Sequence, residues 1–213
     1  MGIEFDLDYW IKAYENSYPD DVEGKYPVYI DKNRVEKEEK SPYFETMSQI
    51  VLTRGFLLKK EFVSIGKWKT IRQIHNYKAN EEETVSNVTR QVLKERDISK
   101  QIRLLTKGKL KGVKIPVASA ILTIVFPKEF CIIDYRAWRA LKWLRKGHAN
   151  QLVLNSYNEY SIFLDSLNEY KSMKGYLSYL QQLRSIAEKH DRTARQLEMA
   201  LWKFDKMKGL KEE

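Results

Sequence analysis

Apolar residues recur at helical spacing along most of this chain, and the pattern leaves little room for β-strands. The clearest example is the segment 81–96, in which Val85, Val88 and Val92 fall on one face. The first turn of this segment is rich in glutamate, as the dipole of a helix favours. The sequence therefore predicts an all-α fold.

Capping residues, prolines and glycines give the expected borders of the other helices. Ser41 followed by Pro42 predicts a helix that runs to Gly55, and residues 66–69 are expected to break the helix formed by residues 56–65, so that they lie outside it. The remaining predicted helices cover residues 8–14, 56–65, 98–105, 117–125, 135–144 and 193–207, with one or two more within 155–188.

Residues 18–40 contain Pro19, Gly24 and Pro27 among many charged residues, which is typical of a surface excursion. We therefore expect residues 1–40 to form an N-terminal helix followed by this excursion. Residues 41–213 are expected to form a helical domain with a hairpin at 106–118. The two parts are predicted to make one cooperative unit.

The charge of the chain favours a polyanionic partner. Lysine and arginine number 38 against 29 acidic residues, which gives a net charge of +9 and a pI near 9.4. Such an excess favours nucleic acid through neutralisation of phosphates, and the alternative is an ordinary lysine-rich surface.

Several classes of protein are not expected from this sequence. No apolar run approaches the roughly 20 residues of a membrane span, and the first residues lack the order of a signal peptide. Cys131 is the only cysteine, so an intrachain disulfide and a four-cysteine zinc or iron–sulfur site are excluded. The three histidines are widely scattered. We expect a cytoplasmic protein without a metal or other cofactor, and the sequence does not give its oligomeric state.

Residues 106–118 carry the pattern with the most chemical content. A basic turn punctuated by glycine, which includes Gly112 and Val113, leads into a helix that Pro116 opens. Such turns commonly need a positive φ, so we expect one at Gly112. The first amides of a helix have no internal partner and, with the dipole, form an anion site. The lysines around it are Lys107, Lys109, Lys111 and Lys114. A phosphate diester would fit there, and the alternative is a tight turn with solvated lysines.

The run Leu110-Lys111-Gly112-Val113-Lys114, followed by Ala118, resembles the Leu-Pro-Gly-Val-Gly…Ala hairpin of the helix-hairpin-helix DNA glycosylase superfamily. Ile133-Asp134-Tyr135-Arg136 stands where that superfamily has its aspartate at the start of the next helix. The resemblance extends over about residues 45–205. It implies two helical lobes that flank a cleft, duplex DNA as partner, and Asp134 as the catalytic carboxylate.

Three departures from the superfamily restrict what the resemblance implies. Bifunctional members carry a lysine nucleophile 18 positions before the aspartate, and here that position is Pro116, so lyase chemistry is not implied. Lys114 replaces the second glycine of the hairpin. The lone Cys131 leaves no iron–sulfur cluster of the endonuclease III type.

Asp134 has two interpretations, a carboxylate that stabilises positive charge on the sugar and a plain helix N-cap, and one residue can serve both. Arg136 and Arg139 would contact phosphate or pair with acidic neighbours. The aromatic residues that would stack on a flipped base, or else belong to the core, are Trp68, Tyr77, Tyr135 and Trp138.

The function expected from these residues is monofunctional removal of a damaged or mispaired base from DNA. A noncatalytic helix-hairpin-helix module that binds DNA is the alternative. A third interpretation, a helical scaffold that binds RNA or protein, requires the resemblance to concern the fold alone.

Overall fold

The computed structural model describes residues 5–22, 43–145 and 171–208. Within these ranges the chain forms ten α-helices and one 3₁₀-helix and contains no β-strand, which confirms the all-α prediction. The helices are α1 Leu7–Val22, α2 Tyr43–Arg54, α3 Lys59–Lys69, α4 Ile74–Lys78, α5 Glu82–Lys94, α6 Ile98–Thr106, α7 Ile115–Val125, α8 Tyr135–Arg145, α9 Met173–Glu188 and α10 Ala194–Lys208, and Ile71–Gln73 is the 3₁₀-helix.

The chain divides into two compact units, one of residues 19–130 and one of residues 1–18 with 131–213. The sequence predicted no border between residues 130 and 131. The predicted border at residue 40 and the helix start at Ser41 and Pro42 lie outside the described residues, as do the predicted helical residues 155–170.

Helix α7 forms the centre of the 19–130 unit. Every side chain from Val117 to Val125 is buried, and α7 packs against α2, α3 and α6. Pro116 lies in its first turn, where the missing N–H costs no helical hydrogen bond. The Ser48 hydroxyl donates to the carbonyl of Val125, 2.7 Å away, and so ties α2 to the end of α7. The continuous apolar run thus makes a helix that is buried on all sides.

The prediction that residues 66–69 end a helix is wrong, because α3 continues through Gly66 to Lys69. A Cβ on Gly66 would lie 2.6 Å from Cδ2 of Tyr77, so the ring of Tyr77 occupies the space that any larger side chain would need. Glycine is therefore present at this position for packing, and the contact offsets its weak helix propensity.

The unit formed by residues 1–18 and 131–213 has α8, α9 and α10 as its packed helices, with α10 against both α8 and α9. Aromatic rings join the N-terminal segment to α10, and Phe204 has Phe5 and Trp10 in edge-on contact at centroid distances of 5.3 and 5.4 Å. Helix α1 continues to Val22, so the prediction of turn structure from residue 18 is wrong for residues 18–22. The rest of the predicted excursion lies outside the described residues.

Candidate nucleic-acid interface and active site

The connection between α6 and α7 is the basic hairpin predicted from the sequence. It contains two glycines with left-handed backbone, Gly108 at φ +85° and Gly112 at φ +84°. The N–H of Val113 faces the carbonyl of Leu110 at 3.5 Å and closes a four-residue turn. Both of these side chains are buried, so the turn is anchored by its apolar residues. The expectation that Gly112 adopts a positive φ is confirmed.

Gly112 also allows the hairpin to approach α4 closely. A Cβ at this position would lie 2.8 Å from Cε1 of Tyr77 and 3.0 Å from Cβ of Asn76. The Tyr77 ring therefore packs between the backbones of two glycines, Gly112 of the hairpin and Gly66 of α3. The ring is fully buried, and burial raises the pKa of its phenol to about 12. Its hydroxyl has no hydrogen-bond partner in the described part of the chain.

Asn80 fixes the hairpin by hydrogen bonds that imitate a backbone pair. Its Oδ1 accepts the N–H of Lys111 at 2.7 Å, and its Nδ2 donates to the carbonyl of the same residue at 3.1 Å. The same Nδ2 lies 2.9 Å from the carbonyl of Asn76 and 3.0 Å from that of Tyr77, at the end of α4. A buried side chain with this many partners holds the turn and α4 in one geometry.

The charged side of the hairpin faces solvent. Its exposed lysines are Lys107, Lys109, Lys111 and Lys114. Among the hydrogen bonds of the described ranges, none has the N–H of Gly112, Lys114 or Ile115 as its donor, and no side chain caps α7. The positive end of the α7 dipole and four ammonium groups thus occupy one short turn, an arrangement that suits an anionic oxygen.

Two of the four aromatic candidates for a base pocket are part of the core. Tyr77 is packed as described above, and Trp138 is 2% exposed with its ring tilted against Tyr179 at 5.7 Å. A ring that is covered by protein on both faces has no surface on which a base can stack. Trp68 and Tyr135 are partly exposed, and both remain candidates.

Asp134 begins α8, as its N-cap interpretation predicted. Its Oδ1 accepts the N–H of Arg136 at 3.0 Å, and its backbone carbonyl accepts that of Trp138 at 2.8 Å. The side chain is partly exposed, whereas the residues before it, from Phe130 to Ile133, are buried. The carboxylate of Asp134 therefore lies where the buried segment 130–133 reaches the surface, and the first turn of α8 orients it.

Two tyrosines of α9 hold the segment that leads to Asp134. The hydroxyl of Tyr176 donates to the carbonyl of Cys131 at 3.1 Å, and that of Tyr179 donates to the carbonyl of Ile132 at 3.5 Å. These carbonyls belong to residues outside any helix or strand, so side chains supply the hydrogen bonds that secondary structure would otherwise provide. Cys131 is fully buried, and burial raises the pKa of its thiol.

A buried ionic cluster lies in the same unit as Asp134. Arg195 pairs with Glu198, and its Nη2 donates to the hydroxyl of Tyr14 at 3.3 Å. Burial raises the pKa of the Tyr14 phenol, the charge of Arg195 opposes the shift, and the charges of Glu198 and Asp134 add to it.

Arg136 and Arg139 both form ion pairs with Asp205 of α10. Arg139 makes two hydrogen bonds of 2.6 Å to the carboxylate and is 6% exposed, and Arg136 reaches the same group at 3.3 Å. For these two arginines the sequence left open a contact with phosphate or a pair with an acidic neighbour, and the structure shows the pair. The guanidinium of Arg139 is committed to this pair, and Arg136 keeps a partly exposed side chain.

Asn80, Asp205 and the two tyrosines of α9 were not predicted to have a role. Asp205 could have been found from its spacing, because it lies four residues after the buried Leu201 and so falls on the apolar face of α10. Asn80 gave no such signal, since the turn that it holds lies 31 residues away in the chain.

No family model, curated protein or solved structure matches this chain in the comparisons made with each of these. Residues 5–22, 43–145 and 171–208 hold no cluster of three or more histidine, cysteine or acidic side chains with a geometry suited to a metal ion. None of the helices in these ranges has the length and apolar character that crossing a membrane requires.

Proposed function

We propose that this chain binds duplex DNA through the hairpin between α6 and α7 and that it removes a base by hydrolysis, with Asp134 as the catalytic carboxylate. The observation that carries the proposal is the hairpin itself. It combines left-handed Gly112, exposed lysines and the unpaired amides that begin α7. The resemblance to helix-hairpin-helix glycosylases, with its two lobes around a cleft, is part of the proposal.

The hairpin suits a phosphate diester better than a base edge. Its amides and ammonium groups are hydrogen-bond donors without matching acceptors, and phosphate oxygens offer acceptors at every sequence. The contact would therefore position the DNA without reading it. Asn80 forms a hydrogen bond with Lys111 of the turn, and the ring of Tyr77 packs against Gly112, so the shape of the turn does not depend on the ligand.

The chemistry would occur at the α8 N-terminus. Loss of the base leaves positive charge on the sugar, and an ionised carboxylate next to C1′ stabilises that charge and can orient the attacking water. Asp134 is partly exposed, and the N–H of Arg136 orients its carboxylate. Pro116 offers no amine for a covalent imine, so the product would be an intact abasic strand.

A noncatalytic module that binds DNA is the second candidate, and one observation favours it. Tyr77 and Trp138, two of the four aromatics that the sequence suggested for a base pocket, are packed inside the protein. A binding module needs the hairpin alone and does not need surfaces on which a base can stack.

The binding part of the proposal is tested with Lys111→Ala/Lys114→Ala. Each lost phosphate contact lowers the slope of log affinity against log salt by about 0.9, so the double variant should flatten the slope by up to about two. Both side chains are exposed, so folding should be unaffected. If the affinity and slope equal those of the wild type, the hairpin does not contact DNA.

The catalytic part is tested with oligonucleotides that each carry one defined lesion. Wild-type protein should release a base and leave a strand that breaks only after alkali, without trapping by borohydride. Asp134→Asn keeps the size and most of the capping capacity and should lower excision by orders of magnitude while DNA binding persists. Full excision by this variant would refute the role of Asp134. Binding without excision of any lesion would favour the noncatalytic module.

A further inference from the structure

The stretch from Gly66 to Asn80 is basic. It contains Lys67, Lys69, Arg72 and Lys78, and it has no acidic residue. It covers the end of α3, the 3₁₀-helix and α4, and we refer to it as the basic segment. The nearest acidic residues after it, at positions 81–83, begin α5, and Glu82 there accepts the backbone N–H of Lys59.

The middle of the basic segment is almost entirely exposed. Of the nine residues 71–79, seven are exposed, Ile74 is partly exposed, and only Tyr77 is buried. Ile71, at the first position of the 3₁₀-helix, is 62% exposed. Neither Arg72 nor Lys78 forms an ion pair within the described part of the chain. This stretch therefore offers its cations to solvent while a single ring anchors it.

That anchor connects the basic segment to the hairpin. Tyr77 packs against Gly66 on one side and Gly112 on the other, and Asn80 forms two hydrogen bonds with Lys111. Lys78 lies between Tyr77 and Asn80 in the chain. The cations of the basic segment and those of the hairpin thus belong to one packed assembly within a single unit, and their spacing is fixed before any ligand binds.

We propose that the basic segment is a second DNA-binding element, which contacts the phosphate backbone of the same duplex beside the hairpin, with Arg72 and Lys78 as its principal contacts. This inference rests on the proposed DNA binding by the hairpin and enlarges its footprint. Arg72 and Lys78 are exposed and have no acidic partner within the described residues, which suits a polyanion, and the connection through Tyr77 and Asn80 makes both elements available to one rigid duplex.

The first test compares Arg72→Ala/Lys78→Ala with Lys174→Ala/Lys189→Ala, a control that removes the same charge from exposed positions in and beside α9. Two lost phosphate contacts should reduce the decline in affinity between about 50 and 200 mM salt by about tenfold. The control should retain the decline of the wild type. All four side chains are exposed, and circular dichroism checks that both variants are folded.

The results separate the two proposals. If Lys111→Ala/Lys114→Ala flattens the salt dependence but Arg72→Ala/Lys78→Ala matches the control, the basic segment is not a binding element and the hairpin proposal stands. If the wild type does not bind duplex DNA, both proposals fail.

A second test leaves the sequence unchanged. Acetylation of lysines is followed by mass spectrometry with and without duplex DNA. DNA should protect Lys67 and Lys78 together with the hairpin lysines, while Lys174 and Lys189 react as before. Equal modification of Lys78 in both conditions, with the hairpin lysines protected, would overturn the inference.

Discussion

Replacement of Gly112 by alanine tests the contact on which the hairpin depends. A non-glycine residue at φ +84° costs about 1–2 kcal/mol. The new Cβ would also lie 2.8 Å from Cε1 of Tyr77, a ring that is buried and cannot swing away, and such overpacking costs about 1–3 kcal/mol. The two effects together predict a loss of about 2–5 kcal/mol in the free energy of unfolding.

Two further glycines separate these effects. Gly108→Ala introduces a side chain at φ +85° with no atom within 4 Å of the new Cβ, so it should cost only the conformational part, about 1–2 kcal/mol. Gly66→Ala meets Cδ2 of Tyr77 at 2.6 Å but lies inside α3, where alanine gains about 1 kcal/mol of helix propensity. Its net cost should therefore be below that of overpacking alone.

The assay is urea unfolding followed by circular dichroism, with slope and midpoint compared between the three variants. A Tyr77→Leu background should reduce the cost of Gly112→Ala and leave that of Gly108→Ala unchanged, because only the first depends on the ring. If Gly112→Ala costs no more than Gly108→Ala, the close packing against Tyr77 does not hold the hairpin.

Three other outcomes are expected. Asp205→Ala should lower the free energy of unfolding by about 3–5 kcal/mol, because it leaves the charge of Arg139 buried and unpaired. Asp8→Ala, which removes an exposed ion pair, should lower it by less than about 1 kcal/mol. Equal losses in urea unfolding would argue against the buried pair. Tyr176→Phe should cost about 1–3 kcal/mol because a buried backbone carbonyl loses its donor, and a variant as stable as the wild type would show that this hydrogen bond contributes nothing. Burial raises the pKa of Tyr77 to about 12, so its contribution to the free energy of unfolding is complete below pH 10 and is lost as the pH rises towards 12. Tyr77→Phe should remove this part of the loss of stability at alkaline pH. If the pH dependence of stability is the same in the variant, Tyr77 does not titrate with unfolding.

Local patterns predicted the helices of this chain well wherever the signal was itself local. The borders of α5, α6 and α7 lie within about two residues of those expected from apolar spacing and from Pro116. Gly112 was predicted to take a positive φ because a tight turn between helices demands it. In each case the cause lies within a few residues of the effect.

The predictions that proved wrong depended on contacts between distant residues. Gly66 was expected to break a helix. It is glycine for another reason, since the ring of Tyr77, eleven positions later in the chain, occupies the space beside it. The pattern gave no means of choosing between the two interpretations of Arg139, whose partner Asp205 is 66 residues away. Spacing along the chain does not contain such information.

The packing of Tyr77 between two glycines has a thermodynamic consequence for ligand binding. Because the hairpin is already held by this ring and by Asn80, a polyanion that binds there would order little of the chain, and the usual entropic cost of immobilising a loop would be small. The contacts would be made by ammonium groups and amides, so little apolar surface would leave water. Calorimetric titration at several temperatures should then give a heat-capacity change of association near zero, and a favourable entropy from the release of condensed cations.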